Sequence, residues 1–264
     1  MLVAVSVYGC MGRHQALDSF DSHPDWQRIN FPTSTFTITG MLRQARKATA
    51  PLTVYIEGDG LAWLSQYEKS SDPTPRDPLA MKMAAKHPKG PVLYLARPCQ
   101  FVTRQTDRNC HAVYWTSHRY APEVVTSMSE AIDTALRRTG AQKLVLIGYS
   151  GGGAVAALLA ASRRDVIRLI TIAGNLDHHA WTKAEKLTPL YGSMNPADHT
   201  DRLLNVDQTH FVGGKDKVVP PLSVFTYRDR FPPRRRPIVK VMENFDHDCC
   251  WLEAWPRLLR YTGS

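Results

Sequence analysis

Residues 145–153 read Val-Leu-Ile-Gly-Tyr-Ser-Gly-Gly-Gly, and this stretch constrains the fold more than any other. Val145 to Ile147 form a short apolar run suited to a buried strand. The Gly- and Ala-rich stretch after Ser150 suits a helix packed closely on a sheet. Between them, Gly148-Tyr149-Ser150-Gly151-Gly152 fits a G-x-S-x-G turn from strand to helix. Such a turn is sharp. It holds the serine in a strained conformation with its hydroxyl exposed, and the flanking glycines leave room for the crossing backbones. The serine then stands at a helix N-terminus, where N–H groups favour a developing negative charge. The pattern predicts a nucleophilic Ser150.

A hydroxyl is a weak nucleophile. It needs a general base, and the base needs an orienting acid. Downstream, residues 209–214 read as a strand ending in a glycine turn, so Asp216 sits just past a strand end. The run 238–242 reads as the final strand. His247 lies on the loop after it, before a last helix. Asp177, just after the strand at 169–173, is the alternative acid. Asp246 and Asp248 flank His247 but stand too close in sequence to reach its ring.

On these residues the chain resembles the α/β-hydrolase family. The resemblance rests on the Gly148-to-Gly152 elbow, the Gly213-Gly214-Lys215-Asp216-Lys217-Val218-Val219-Pro220 loop and the late His247. It runs from about residue 35 to the C-terminus. It implies an α/β fold with a mostly parallel central sheet and helices on both faces. It also implies Ser150 as nucleophile, His247 as base and Asp216 as orienting acid, in the family's chain order. An oxyanion hole is implied as well. One donor would be the N–H of Gly151. The other would be the N–H of Asp59 or Gly60, in the Glu57-Gly58-Asp59-Gly60 loop after the strand at 52–56. That loop is similar to the family's His-Gly-Gly-Gly loop, with Glu57 in place of histidine. A carboxylate beside an anion-stabilising site is unfavourable, so the Asp59 side chain is expected to turn away.

The length of 264 residues suits one such domain, with 43 % hydrophobic and 22 % charged residues. Candidate strands are 36–39, 52–56, 92–95, 144–147, 169–173, 210–212 and 238–242. Several lack alternation, as strands buried on both faces do. Helices are expected at 78–87, 122–138, 152–162, 221–231 and 250–261. Strands alternating with helices argue for a parallel sheet covered on both sides. Two long connections, 97–120 and 174–206, start at strand C-terminal ends, where such sheets build their sites. The first carries Tyr114, Trp115 and Arg119. The second carries Asn175, Asp177, His178, His179 and Trp181. Their aromatics, with Trp63, either line a pocket over the serine or form small cores under the loops.

The formal charge is +9, and the sharpest basic run is Arg234-Arg235-Arg236 between prolines. No aromatics are interleaved with it, which argues for a solvated loop and against nucleic-acid binding. Residues 1–10 form an apolar stretch ending in Gly9-Cys10. This resembles the end of a bacterial lipoprotein signal and implies lipidation at Cys10, periplasmic membrane anchoring, and a signal and tether over 1–25 before a domain over 26–264. The alternative is a leader or first strand of a soluble cytoplasmic protein. There are five cysteines. Cys99 and Cys110 bracket a short polar loop, and an oxidising compartment would favour a bridge between them. Cys249 and Cys250 are adjacent and read as buried thiols of the last helix. The cysteine and histidine spacings do not suit a zinc site.

The leading expectation is a serine hydrolase acting on an ester or related acyl bond of a small-molecule or lipid-like substrate, with no cofactor and no metal. A thioesterase or peptidase on the same triad is the alternative within the chemistry. A surface-anchored, non-catalytic binding protein on the same scaffold is the alternative outside it.

Overall fold

The computed structural model describes residues 17–18, 23–44, 50–103, 106 and 108–263. The elements in chain order are β1 (Trp26–Pro32), β2 (Thr37–Arg43), β3 (Leu52–Ile56), α1 (Leu79–Ala85), β4 (Val92–Leu95), α2 (Pro122–Thr139), β5 (Leu144–Tyr149), α3 (Gly151–Ser162), β6 (Val166–Ile172), α4 (His178–Ala184), β7 (Asp207–Gly213), α5 (Leu222–Asp229), β8 (Ile238–Met242) and α6 (Trp251–Tyr261). The strands form one sheet in the order β1-β2-β4-β3-β5-β6-β7-β8. The pairs β1/β2 and β2/β4 are antiparallel, and the rest are parallel.

The central strands β3, β4 and β5 are buried on both sides because they alternate between two apolar cores. Leu52, Val54, Ile56, Leu144 and Leu146 face one core, which is closed by α2, α3 and α5. Tyr55, Val145, Ile147 and Tyr149 face the other, which is closed by α1 and α6. Helix α2 starts on Pro122 and ends at Gly140, whose φ of 72° stops the helix in the left-handed region. Helix α3 is buried from Gly151 to Ala160, all round rather than on one stripe. Its small residues let it lie directly on the sheet. A Cβ on Gly152 would strike the carbonyls of Ile56 and Glu57.

The strand β1 is absent from the sequence reading. Trp26, Ile29 and Phe31 are buried, but the polar residues between them face out, as on an antiparallel edge with one solvated face. That mixed pattern lacks the run of β-branched residues that marks the inner strands. Leu17, in the stretch read as a tether, is fully buried in the second core. Cys10 lies outside the described residues.

Candidate active site

The parallel strands all point their C-terminal ends at one place, and the polar residues gather there. Ser150 joins β5 to α3 with φ 52° and ψ −123°, in the positive-φ region that a non-glycine residue enters only under constraint. The turn is held by the Ser150 N–H on the Ile172 carbonyl at 2.9 Å, and by N–H donors of Gly153 and Asn175 on the Ser150 carbonyl. Gly148 tolerates no side chain, because a Cβ there would strike the Gly152 backbone.

His247 arrives from the loop after β8 and Asp216 from the loop after β7. With its proton on Nδ1, the imidazole donates to Asp216 Oδ2 at 2.8 Å. Its Nε2 then accepts from Ser150 Oγ at 3.0 Å. The other oxygen of Asp216 accepts the N–H groups of Val218 and Val219 at 2.9 and 2.8 Å. The His247 loop is fixed from below. The Tyr149 hydroxyl donates to Asp248 Oδ1 at 2.9 Å, and the Trp251 indole donates to the His247 carbonyl at 3.0 Å. Asp246 accepts from the N–H groups of Asp248 and Cys249, as a turn aspartate does. Asp177 stands elsewhere. It caps α4 through Ala180 N–H at 3.2 Å and accepts from Asn195 Nδ2 at 3.1 Å.

The opposite wall is the Glu57-to-Gly60 loop after β3. The N–H groups of Asp59, Gly60 and Gly151 meet no protein acceptor among the described residues. The Asp59 side chain does not turn away as expected. Its carboxylate lies against the Gly151 backbone, so closely that a Cβ on Gly151 would collide with it. Two arginines resolve the conflict. Arg97, just past β4, reaches Asp59 Oδ1 at 3.0 Å, and Arg119 reaches Oδ2 at 2.7 Å. These cations outweigh the cost of burial and hold the carboxyl below its ordinary range. Arg97 also donates to the Arg119 carbonyl, which ties the two together.

Glu57 opens the loop and is fully enclosed. Its Oε1 accepts from Gly58 N–H at 3.0 Å and from Ala80 N–H, in the first turn of α1, at 3.4 Å. The loop is thus braced by a carboxyl on backbone donors. Burial pushes that carboxyl up to about 7 despite those bonds.

Ser150 and His247 open onto a cleft of about 1060 Å³. Leu61, Trp63, Leu79, Trp181, Leu187 and Val218 give it apolar walls. Trp181 is pinned by its indole N–H on the Val218 carbonyl at 2.9 Å. The aromatics of the long connections divide. Trp63 and Trp181 line the cleft, whereas Trp115 is buried with its indole N–H on the Ser70 carbonyl and Tyr114 packs on Phe36. His178 is buried against Tyr120 and His179. Cys99 and Cys110 form a disulfide. Cys249 and Cys250 are also joined, and Cys249 is exposed, so they are not buried helix thiols. They lie on the turn that ends at the N-cap of α6, outside the apolar face that the helix buries.

Sequence reasoning missed Arg97 and the bracing Tyr149. A signal for Arg97 exists, since it follows the strand 92–95 directly and so belongs at the active end of the sheet. Tyr149 is the variable position inside the elbow motif, and spacing alone gives it no role.

Residues 106–208 match the sequence profile of the alpha/beta hydrolase fold. No curated protein matches the sequence. Among solved structures, Est1E from Butyrivibrio proteoclasticus is similar at 13 % identity and a TM-score of 0.59, over 89 % of this chain and 98 % of that one. Acetyl xylan esterase 1 from Thermoanaerobacterium is similar at 13 % identity and 0.59, over 96 % and 91 %. The acylaminoacyl peptidase of Pyrococcus horikoshii is similar at 14 % identity and 0.64, over 92 % of this chain and 41 % of that one. Together with the sheet order and the strand–turn–helix at Ser150, these matches establish that the chain has the alpha/beta hydrolase fold.

Proposed function

We propose that this protein is a serine hydrolase that cleaves an ester or related acyl bond through an acyl-enzyme. The observation that carries the reading is the unbroken line from Ser150 Oγ through His247 to Asp216, at 3.0 and 2.8 Å, opening on an apolar cleft. Ser150 Oγ attacks the carbonyl carbon while its proton passes to His247 Nε2. The carbonyl π electrons move onto oxygen, which faces the free N–H groups of Gly151 and of Asp59 or Gly60. Collapse of this intermediate breaks the bond to the leaving group, which takes the proton from His247. Water then repeats the sequence on the acyl-serine and releases the acid. Asp216 keeps the imidazole in the working tautomer and stabilises the imidazolium. The route draws on no cofactor.

Thioesters and amides would follow the same steps, and the similarity to an acylaminoacyl peptidase keeps a peptide bond within the reading. A binding protein on this scaffold would have no use for an aligned proton path. For location, the apolar run ending at Cys10 supports a lipid anchor, and the Cys99–Cys110 bridge supports an oxidising compartment. Cys10→Ala is then expected to move the protein out of the membrane fraction. An unprocessed cytosolic wild type would refute the anchor.

The activity is tested with 4-nitrophenyl esters of graded acyl length. Turnover is expected on at least one member, with His247→Ala inactive on all. A wild type that turns over none, and no thioester or amide analogue either, would refute the hydrolase reading.

A further inference from the structure

Two buried guanidinium groups share a single carboxylate beside Ser150. Arg97 is 4 % exposed, Arg119 9 % and Asp59 16 %. The cluster therefore carries one positive charge more than it balances. An excess charge in so dry a place is costly unless something else meets it.

The two arginines differ in what they have left to give. Arg97 is turned inward and spends its fork on Asp59 Oδ1 and the Arg119 carbonyl. Arg119 lines the cleft. Its Nε donates to the Thr116 carbonyl at 2.7 Å and its Nη1 to Asp59 Oδ2 at 2.7 Å. Its Nη2 is given to no carboxylate or carbonyl among the described residues, and the neutral hydroxyl of Tyr120 is the acceptor beside the guanidinium. The Tyr120 hydroxyl nearby is turned to Asp59 at 3.4 Å and adds no charge.

The carboxylates of the cleft are all engaged. Asp77 is paired with Lys82, Asp248 holds the Tyr149 hydroxyl, and Glu57 sits on backbone donors. Arg76 and Lys69 stand on the cleft wall with no ion-pair partner among the described residues. What lines the cleft for an incoming substrate is thus a guanidinium edge of Arg119 that no anion meets, with further cations around it. The side chain is linked to the nucleophile's turn through one carboxylate. Arg119 grips the carboxylate that touches Gly151, the residue after the nucleophile.

We propose that Arg119 makes the site selective for esters that carry a carboxylate close to the scissile bond. This rests on the hydrolase reading above and names its substrate class. The remaining N–H groups of Arg119 form one side of the fork that a planar carboxylate fits. An acid in place of a neutral group is expected to gain about 10- to 100-fold in kcat/KM, the range of a charge-assisted hydrogen bond in a partly desolvated site.

The test uses matched pairs. For an acid on the acyl side, the 4-nitrophenyl hemiester of glutarate is compared with its methyl ester. For an acid on the leaving side, 3-acetoxybenzoate is compared with its methyl ester. Wild type should prefer the acid in at least one pair. Arg119→Met should bring that ratio close to one, and Arg119→Lys should keep part of it. Glutarate should also inhibit neutral-ester turnover by wild type competitively, and glutaramide should not. This last arm holds even if the variants fold poorly. A purely structural Arg119 would lower both members of a pair alike and leave the ratio unchanged. That result, or a wild type without preference for either acid, overturns the proposal while neutral-ester turnover keeps the hydrolase reading intact. Loss of all turnover together with no labelling by a fluorophosphonate would overturn both.

Discussion

The two walls that meet at Ser150 are built on different physics. On one side, Asp216 and His247 are held by neutral donors. Val218 and Val219 N–H groups fix the carboxylate, and Tyr149 and Trp251 fix the histidine loop. On the other side, the Glu57-to-Gly60 loop is held by charge. Two guanidinium groups clamp Asp59, and a buried carboxyl braces the turn. The wall held by neutral donors needs only the right fold to form. The charge-held wall fails if any one member loses its partner, because a buried charge left alone costs several kcal/mol. The wall of Asp216 and His247 is therefore expected to fail in chemistry and the Glu57-to-Gly60 wall in stability.

The largest effect expected is chemical. Asp216→Asn should lower kcat on a model ester by about 10⁴-fold, since the wrong tautomer removes the base. Asp177→Asn should leave kcat within a small factor while weakening the cap of α4. Steady-state kinetics on both variants decides this, and a crippled Asp177 variant with an active Asp216 variant would exchange their roles. Next in size, Asp59→Asn leaves two buried guanidinium groups with no anion. It should destabilise the fold by about 3–5 kcal/mol, read as a shift of the urea midpoint. An unchanged midpoint would show that the charges there are free to reach water.

The smallest effect depends on pH. The Glu57 carboxyl is raised from 4.5 to about 7 in the folded state. The folded protein therefore binds the proton more tightly, and stability falls as pH rises through this window. Below 4.5 the residue is protonated in both states and nothing is lost. Glu57→Gln removes the titration. Relative to wild type it should gain nothing near pH 4.5 and up to about 3 kcal/mol by pH 7.5. A difference that does not change with pH would mean that Glu57 stays ionised.

The same contrast governs what the sequence makes legible. Ser150, Asp216 and His247 stand after strands whose apolar runs are plain, and a residue at a strand end is read from the strand. Asp59 is legible as part of a glycine loop, but its partners are not. Arg97 and Arg119 lie 38 and 60 positions away along the chain, and a salt bridge at that separation leaves no periodicity. The expected direction of the Asp59 side chain was therefore wrong. It assumed a lone carboxylate, and the structure supplies two cations. The edge strand β1 was missed for a related reason, since half its side chains answer to solvent rather than to the core. The joined Cys249 and Cys250 lie on a turn, where apolar pattern carries no information.

The activation of Ser150 is tested most directly by a fluorophosphonate probe followed by peptide mapping. Wild type is expected to take up one probe, on the peptide that holds Ser150. Ser150→Ala is expected to take up none while keeping the native circular dichroism spectrum. Undiminished labelling of the variant would contradict the reading and assign the nucleophile elsewhere.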